Sequence, residues 1–471
     1  MGGFFGVASS TDCVSDVFYG TDYHSHLGTR RGGIVTTNDA GFKRNIHDIS
    51  NAPFRTKFEE ELPKHAGNLG LGVISDYEDQ PLLIRSHHGV YALVTVGRVN
   101  NLEAIVKDAL TRRGTHLSEL KGNEDNPTEV VATLINQEAT LVDGIRWAQR
   151  AIQGSCSLLL LTPDAIFAAR DRLGRTPVVL GRKDGAWCVA LESSALPNLG
   201  YEPVRDLGPG EIVRVTPDGA EIVAPPGEHM QICSFLWIYY GYPASSYEGI
   251  NTEVARYRCG QALARADGVN ADCVAGIPDS GIGHAIGYAA ESRIPYRRPF
   301  VKYTPTWPRS FMPQEQRVRD LVASMKLIPI RDVIEGKRLL FCEDSIVRGT
   351  QLRDIIRRVF DCGAREVHMR PACPPLMHGC RYLNFSRSKS ELDLAARRAV
   401  EELEGDASRH LEEYADASSD RYARMVERIR QRLELTTLRY QTLPDMVSAI
   451  GLPREKLCTY CWNGESLHEE A

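Results

Sequence analysis

An apolar run, Leu339-Leu340-Phe341-Cys342, ends in two adjacent acids, Glu343 and Asp344, and continues through Ser345-Ile346-Val347-Arg348-Gly349-Thr350 into a segment of helical spacing. Each residue type has a chemical use there. Backbone N–H groups at a helix start, small hydroxyl residues and a glycine that allows close approach together cradle a phosphate monoester. The two carboxylates cannot face that phosphate, but they can hold ribose hydroxyls, or Mg²⁺ through its waters. The motif therefore calls for a sugar phosphate. An ordinary acidic turn with a helix cap would not need two acids directly after a buried strand.

Cysteine is the second chemically suggestive residue type. Cys458 and Cys461 form a C-x-x-C, a spacing shared by zinc, iron–sulfur and redox sites, so partners from elsewhere in the chain must decide among them. The sequence has 12 Cys. Its N-terminus lacks the basic and long apolar regions of a signal peptide, which points to the cytoplasm, where thiols stay reduced and a disulfide framework is not expected. Cys156, Cys188, Cys273 and Cys342 sit within apolar runs and are expected to pack as small hydrophobes.

The elements that must position these groups fall into two rhythms. At 471 residues the chain should form two or three units. From Phe4 to about Pro225, short apolar runs between Gly and Asn turns predict strands buried on both faces, interrupted by one helix near Pro127–Gln137. Two stacked sheets with outer helices would bury them. Ala224–Gln231 reads as a linker. Beyond it, strand–loop–helix units predict a parallel sheet, whose ligands bind past the carboxyl ends of the strands. Residues 386–435 are rich in Glu, Arg and Ala and predict solvated helices. A formal net charge of −5 gives no basic footprint for nucleic acid, and no run is long and apolar enough for a membrane span.

Leu339–Leu352 closely resembles the phosphoribosylpyrophosphate (PRPP) loop of type I phosphoribosyltransferases, in the DSIVRGT form of the glutamine PRPP amidotransferase family, with Glu343 where the family usually has Asp. Ile277–Ala289 resembles that family's pyrophosphate loop, Ser324–Leu340 the following segment, and Arg170–Gly181 the end of its glutaminase domain. The resemblance implies α/β and α+β architecture in three parts. These are an N-terminal Ntn-hydrolase-like αββα sandwich (1–230), a type I phosphoribosyltransferase parallel-sheet domain (231–385), and C-terminal helices with the C-x-x-C (386–471). Family chemistry delivers ammonia from glutamine to C1 of PRPP, displacing pyrophosphate and giving 5-phosphoribosylamine.

Carried over residue by residue, Asp279, Ser280 and Gly281 would form the pyrophosphate loop, and Glu343, Asp344, Ser345, Ile346, Val347, Arg348, Gly349 and Thr350 would bind PRPP. Glu343 and Asp344 would also hold Mg²⁺. Lys302, Arg309 and Asp344 would be the catalytic groups, although Pro305 and Pro308 stiffen the family's mobile lid. Some family members hold a [4Fe–4S] cluster on four cysteines, and Cys233, Cys380, Cys458 and Cys461 fall at the matching positions. Four-cysteine zinc is the competing metal reading, and four unligated thiols are the other alternative. A homo-oligomer, dimer or tetramer, is implied as well.

The glutaminase positions depart from the pattern. Gly2 stands where the family has its nucleophilic N-terminal Cys, Ser75 where an Arg would grip the glutamine carboxylate, Val96 where an Asn would donate to the oxyanion, and Pro127 where an Asp would pair with the substrate ammonium. Glutaminase activity is therefore expected to be lost. Two hypotheses follow. One is a phosphoribosyltransferase using free ammonia, or ammonia or another amine from a partner protein. The other is a non-catalytic binding protein, sensing PRPP or purine nucleotides or regulating a functional paralogue, for which the altered lid and Ala244, in place of a family acid, are the motivating features.

Overall fold

A computed structural model describes residues 2–113, 117, 120–121, 124–302, 327–383 and 390–467. The N-terminal part is two stacked antiparallel sheets of seven and six strands. Alternation along single strands shows why the apolar runs are continuous. In Gly3–Ser9, Phe4 and Ala8 enter the core between the sheets while Phe5 and Val7 enter the layer outside the first sheet. In Gly154–Leu161, Leu159 and Leu161 face inward and Leu158 and Leu160 face the outer layer of the second sheet. Period-two side chains thus feed two cores at once.

Helices Val14–Asp22 and Phe54–Phe58 cover the first sheet, while Pro127–Ile135 and Leu141–Ala151 cover the second. The layering is the expected αββα sandwich. More than one helix interrupts the strands, however: Val14–Asp22, Leu102–Arg113 and Leu141–Ala151 also form. The sequence Val14-Ser-Asp-Val-Phe-Tyr-Gly-Thr-Asp22 has poor intrinsic helix propensity. Burial of Val14, Val17 and Phe18 against the sheet outweighs that preference.

The exposed stretch 225–229 leads to Gln231, whose backbone N–H donates to Leu173 O at 2.7 Å. A four-stranded parallel sheet follows, in the order Cys273–Gly276, Arg338–Glu343, Glu366–Pro371, Thr437–Leu438. Helices Gly281–Ser292 and Thr350–Asp361 begin just beyond the first two strands. The chain past residue 386 forms helices Ala395–Glu404, Leu411–Ala415 and Asp420–Arg432 before returning as the last strand of this sheet. These helices are solvated on one face only. Ala396, Ala399, Val400, Met425 and Ile429 are buried with Leu352 and Ile356 of the Thr350–Asp361 helix. Among the described residues no helix is long and apolar enough to cross a membrane.

Candidate active site

Two loops leave adjacent parallel strands and meet backbone to backbone. Ile277 N–H donates to Cys342 O at 3.0 Å. A Cβ on Gly281 would stand 2.4 Å from that same carbonyl, and one on Gly276 would stand 2.6 Å from Gly281 O, so only glycine permits the approach. The Pro278–Asp279 peptide is cis. Side chains then tie the loops together: Ser280 Oγ donates to one carboxylate oxygen of Asp344, and Ser345 Oγ donates to the other at 2.5 Å. Lys302, at the end of strand Phe300–Lys302, forms an ion pair with Asp279.

Glu343 and Asp344 are both buried. Burial, reinforced by the neighbouring Asp344 charge, holds the Glu343 carboxyl well above the usual carboxylate range. A cation or ribose hydroxyls arriving there would relieve that penalty. Arg256, which the sequence did not single out, is a further charge at this site. It is buried, donates to the carbonyls of Trp237 (2.9 Å), Tyr239 and Gly241 (both 2.8 Å), and lies within electrostatic reach of Asp344. No local motif marks it, because its partners precede it by 15 to 19 residues. Gly349, in the loop expected to hold phosphate, has φ +74° at the start of its helix. The loop is braced from outside by Ala395 N–H donating to Val347 O at 2.7 Å. Arg309 and most of the lid, including Pro305 and Pro308, lie outside the described residues.

The four singled-out cysteines are near enough to influence one another electrostatically, but among the described residues no three ligating side chains stand close enough together to hold a metal ion. Cys233 and Cys458 are in register on a short parallel pair of strands. Cys461 is hydrogen-bonded to Cys380, a contact that lowers the Cys380 thiol to about 7 and raises that of Cys461. Cys461 also feels Cys233 and Cys458 electrostatically. The Tyr382 and Leu383 N–H groups point at Cys380 Sγ, each at 3.4 Å. Arg175 donates to Cys458 Sγ at 3.2 Å while its guanidinium lies 3.3 Å from the centre of the Tyr382 ring. That arginine lies 283 residues from Cys458, so sequence spacing could not have linked them. By contrast, Cys156, Cys188, Cys273 and Cys342 are buried, and burial raises their thiols, as core packing requires. Cys13 is likewise buried, its thiol pushed up to about 12.

The glutaminase positions also lie close together, but as packed structure. Gly2 is buried, and a Cβ there would meet Ile74 O at 2.5 Å. Ser75 Oγ donates to Glu78 at 3.2 Å, and burial raises the Glu78 carboxyl. The Gln80 carboxamide bonds both to Glu78 (2.9 Å) and to the Thr95 backbone, accepting its N–H at 2.7 Å. Val96 is in the core between the sheets. Pro127 opens its helix behind Asn126, whose side chain accepts the Thr128 N–H, and the Thr128 hydroxyl bonds that of Thr95 at 2.7 Å. Ser75, expected from the resemblance to replace a carboxylate-gripping arginine, is thus bonded to an acid.

Residues 69–198 match the family model of a glutamine amidotransferase domain. The chain is 33% identical to the amidophosphoribosyltransferase of Bacillus subtilis over 85% of each protein. It is 29% identical to that of Methanocaldococcus jannaschii over 99% of this chain and 97% of the relative. Among solved structures it resembles the glutamine PRPP amidotransferase from B. subtilis complexed with ADP and GMP, with a TM-score of 0.85 and 29% identity, covering 99% of this chain and 97% of the other. With both loops, the layered sandwich and the parallel sheet in this order, the chain belongs to the amidophosphoribosyltransferase family.

Proposed function

We propose that this protein binds PRPP with Mg²⁺ and forms 5-phosphoribosylamine, or a related amine product, from ammonia or a partner-supplied amine, without hydrolysing glutamine. The observation that carries the proposal is the contrast between two sites in one chain. The two loops at the parallel strands are joined through Ser280, Asp344 and Ser345 and faced by Lys302, whereas Gly2, Ser75, Val96 and Pro127 occupy the glutaminase positions. Residues 1–230 then act as a scaffold, 231–385 as the transferase unit and 386–471 as its metal-binding extension. The working assembly is a cytoplasmic homo-oligomer.

The Ser345–Thr350 backbone holds the 5-phosphate, and Glu343 and Asp344 orient the ribose hydroxyls, which fixes C1 before attack. Charge develops on the departing diphosphate in the Asp279–Gly281 loop. Lys302, now neutralised by Asp279, is placed to move onto it. Mg²⁺ held by Glu343 and Asp344 would supply further charge neutralisation there. Lys302→Ala should therefore lower kcat by about 10²-fold or more, with a smaller change in the PRPP concentration giving half-maximal binding, measured by pyrophosphate release and calorimetry. In a sensor only the binding constant could move.

Cys233, Cys380, Cys458 and Cys461 suit a [4Fe–4S] cluster, which four thiolates complete without any other residue type. They come from three separate stretches of the chain and influence one another electrostatically. N–H groups and Arg175 aimed at sulfur provide the surroundings such thiolates require.

The deciding experiment supplies PRPP, Mg²⁺ and either ammonia or glutamine. Pyrophosphate should appear with ammonia, and glutamate should stay at the level of boiled protein. Gly2→Cys alone should not restore glutaminase activity, because its Cβ meets Ile74 O and the other three positions remain unsuited. Glutamate release by the unaltered protein would overturn the proposal.

A further inference from the structure

Two C-terminal helices bring arginines against the proposed phosphate loop. Arg348 and Arg353 come from the loop and the helix it opens, Arg398 from Ala395–Glu404, and Arg432 from Asp420–Arg432. Together with Gly349, Thr350, Ala395, Ile429 and Leu433 they line a cavity of about 230 Å³. Asp279, Ser280, Glu343 and Asp344 do not line it, whereas Gly349 and Thr350 of the loop do.

Two carboxylates face this group directly: Asp393 pairs with Arg348 at 3.2 Å and Glu402 with Arg432 at 2.7 Å. Glu434, which lies near Arg353, is held by Arg357. Among the described residues Arg353 and Arg398 make no ion pair, and the Nε of each is buried without a hydrogen-bond partner. Arg398 also donates to Arg348 O, which keeps two guanidinium groups beside one another. Burial, and then the like charge of Arg432, pushes the Arg398 guanidinium down from its usual range. Four cations around a small cavity, with fewer acids than arginines and two unfilled buried donors, is an arrangement that destabilises the empty protein and is relieved by an oxyanion.

We infer that this cavity is a second anion site, taking a phosphoryl group of a small metabolite between residues 348–350 and the two C-terminal helices. Four arginines offer the forked donors that phosphate oxygens match, and the volume admits a phosphate with a short attachment. A whole nucleotide would not fit. The inference does not depend on PRPP being the substrate.

The test titrates inorganic phosphate into protein saturated with PRPP and Mg²⁺, comparing the natural protein with Arg398→Gln/Arg432→Gln by melting temperature and calorimetry. Phosphate should raise the melting temperature above the PRPP plateau, by mass action. In the double variant the half-effect phosphate concentration should rise at least tenfold while that for PRPP changes by less than twofold. If the double variant fails to fold, Arg353→Gln provides the same comparison.

No increment above the PRPP plateau, or an increment untouched by the substitutions, would overturn the inference. So would an equal weakening of PRPP binding, which would make the cavity part of the PRPP site. Absence of any PRPP plateau would count against the proposed function instead. Phosphate titrated into the protein alone would then still separate the natural and variant chains if the second site exists.

Discussion

Gly349→Val should abolish the rise in melting temperature that PRPP and Mg²⁺ produce in the natural protein. Gly349 has φ +74°, and an added Cβ would lie 3.1 Å from Leu433 Cδ2. A β-branched residue in this left-handed conformation costs on the order of 1–2 kcal/mol before any clash is counted. The cheapest relief is a shift of the loop. That shift moves the Thr350 N–H and its neighbours away from the phosphate they would cradle, so ligand affinity is lost in addition to stability. Asp344→Asn is the graded companion. It keeps the loop but replaces a carboxylate that accepts both Ser280 and Ser345, and should weaken the PRPP shift by roughly 1.5–3 kcal/mol, as for other hydrogen bonds to charged groups. A Gly349→Val protein that still responds fully to PRPP would show that the ligand binds elsewhere.

Cys458→Ser should bleach the anaerobically purified protein and lower its iron from about four per chain, the content of a [4Fe–4S] cluster, to background. The same substitution reaches well beyond the metal. Cys458 sits on the strand pair that joins residues 232–233 to 457–458, and its carbonyl accepts the Ser234 hydroxyl at 2.9 Å. Arg98 and Asn100 of the N-terminal sandwich donate to the Cys380 and Arg381 carbonyls at 2.9 and 2.8 Å. Cluster binding is therefore linked to the docking of both parts, and its loss should lower the melting temperature by on the order of 10 °C, at about 2–4 °C per kcal/mol. Limited proteolysis should then cut first within the C-terminal helices. One zinc per chain with no labile sulfide would refute the iron–sulfur assignment and leave a structural metal.

The strand–loop–helix unit of the proposed phosphate loop is legible in the amino-acid sequence because it is contiguous: strand, acids, loop and helix start occupy Leu339–Leu352, and Gly349 takes the positive φ that glycine allows. Strands buried on both faces are equally legible, since an uninterrupted apolar run such as Leu158–Leu161 has no other use in a sandwich. The helix Val14–Asp22 is not, because its β-branched, aromatic and glycine content opposes the conformation that burial imposes.

Residue type and family resemblance single out four cysteines, but only the fold brings Cys233, Cys380 and the C-x-x-C within electrostatic reach of one another and places Arg175 beside Cys458. The glutaminase positions are visible in the sequence as departures one at a time. The contacts made there, a Ser75–Glu78–Gln80 network bonded to Thr95, depend on a return of the chain from one sheet to the other. The charged segment 386–435 carries the least readable information. Its composition predicts solvated helices, and their outer faces are solvated. Only packing of Ala396, Val400 and Ile429 into the transferase core determines that Arg398 and Arg432 end beside Arg348, because the contact that aims them is apolar and long-range while the charge that matters is local.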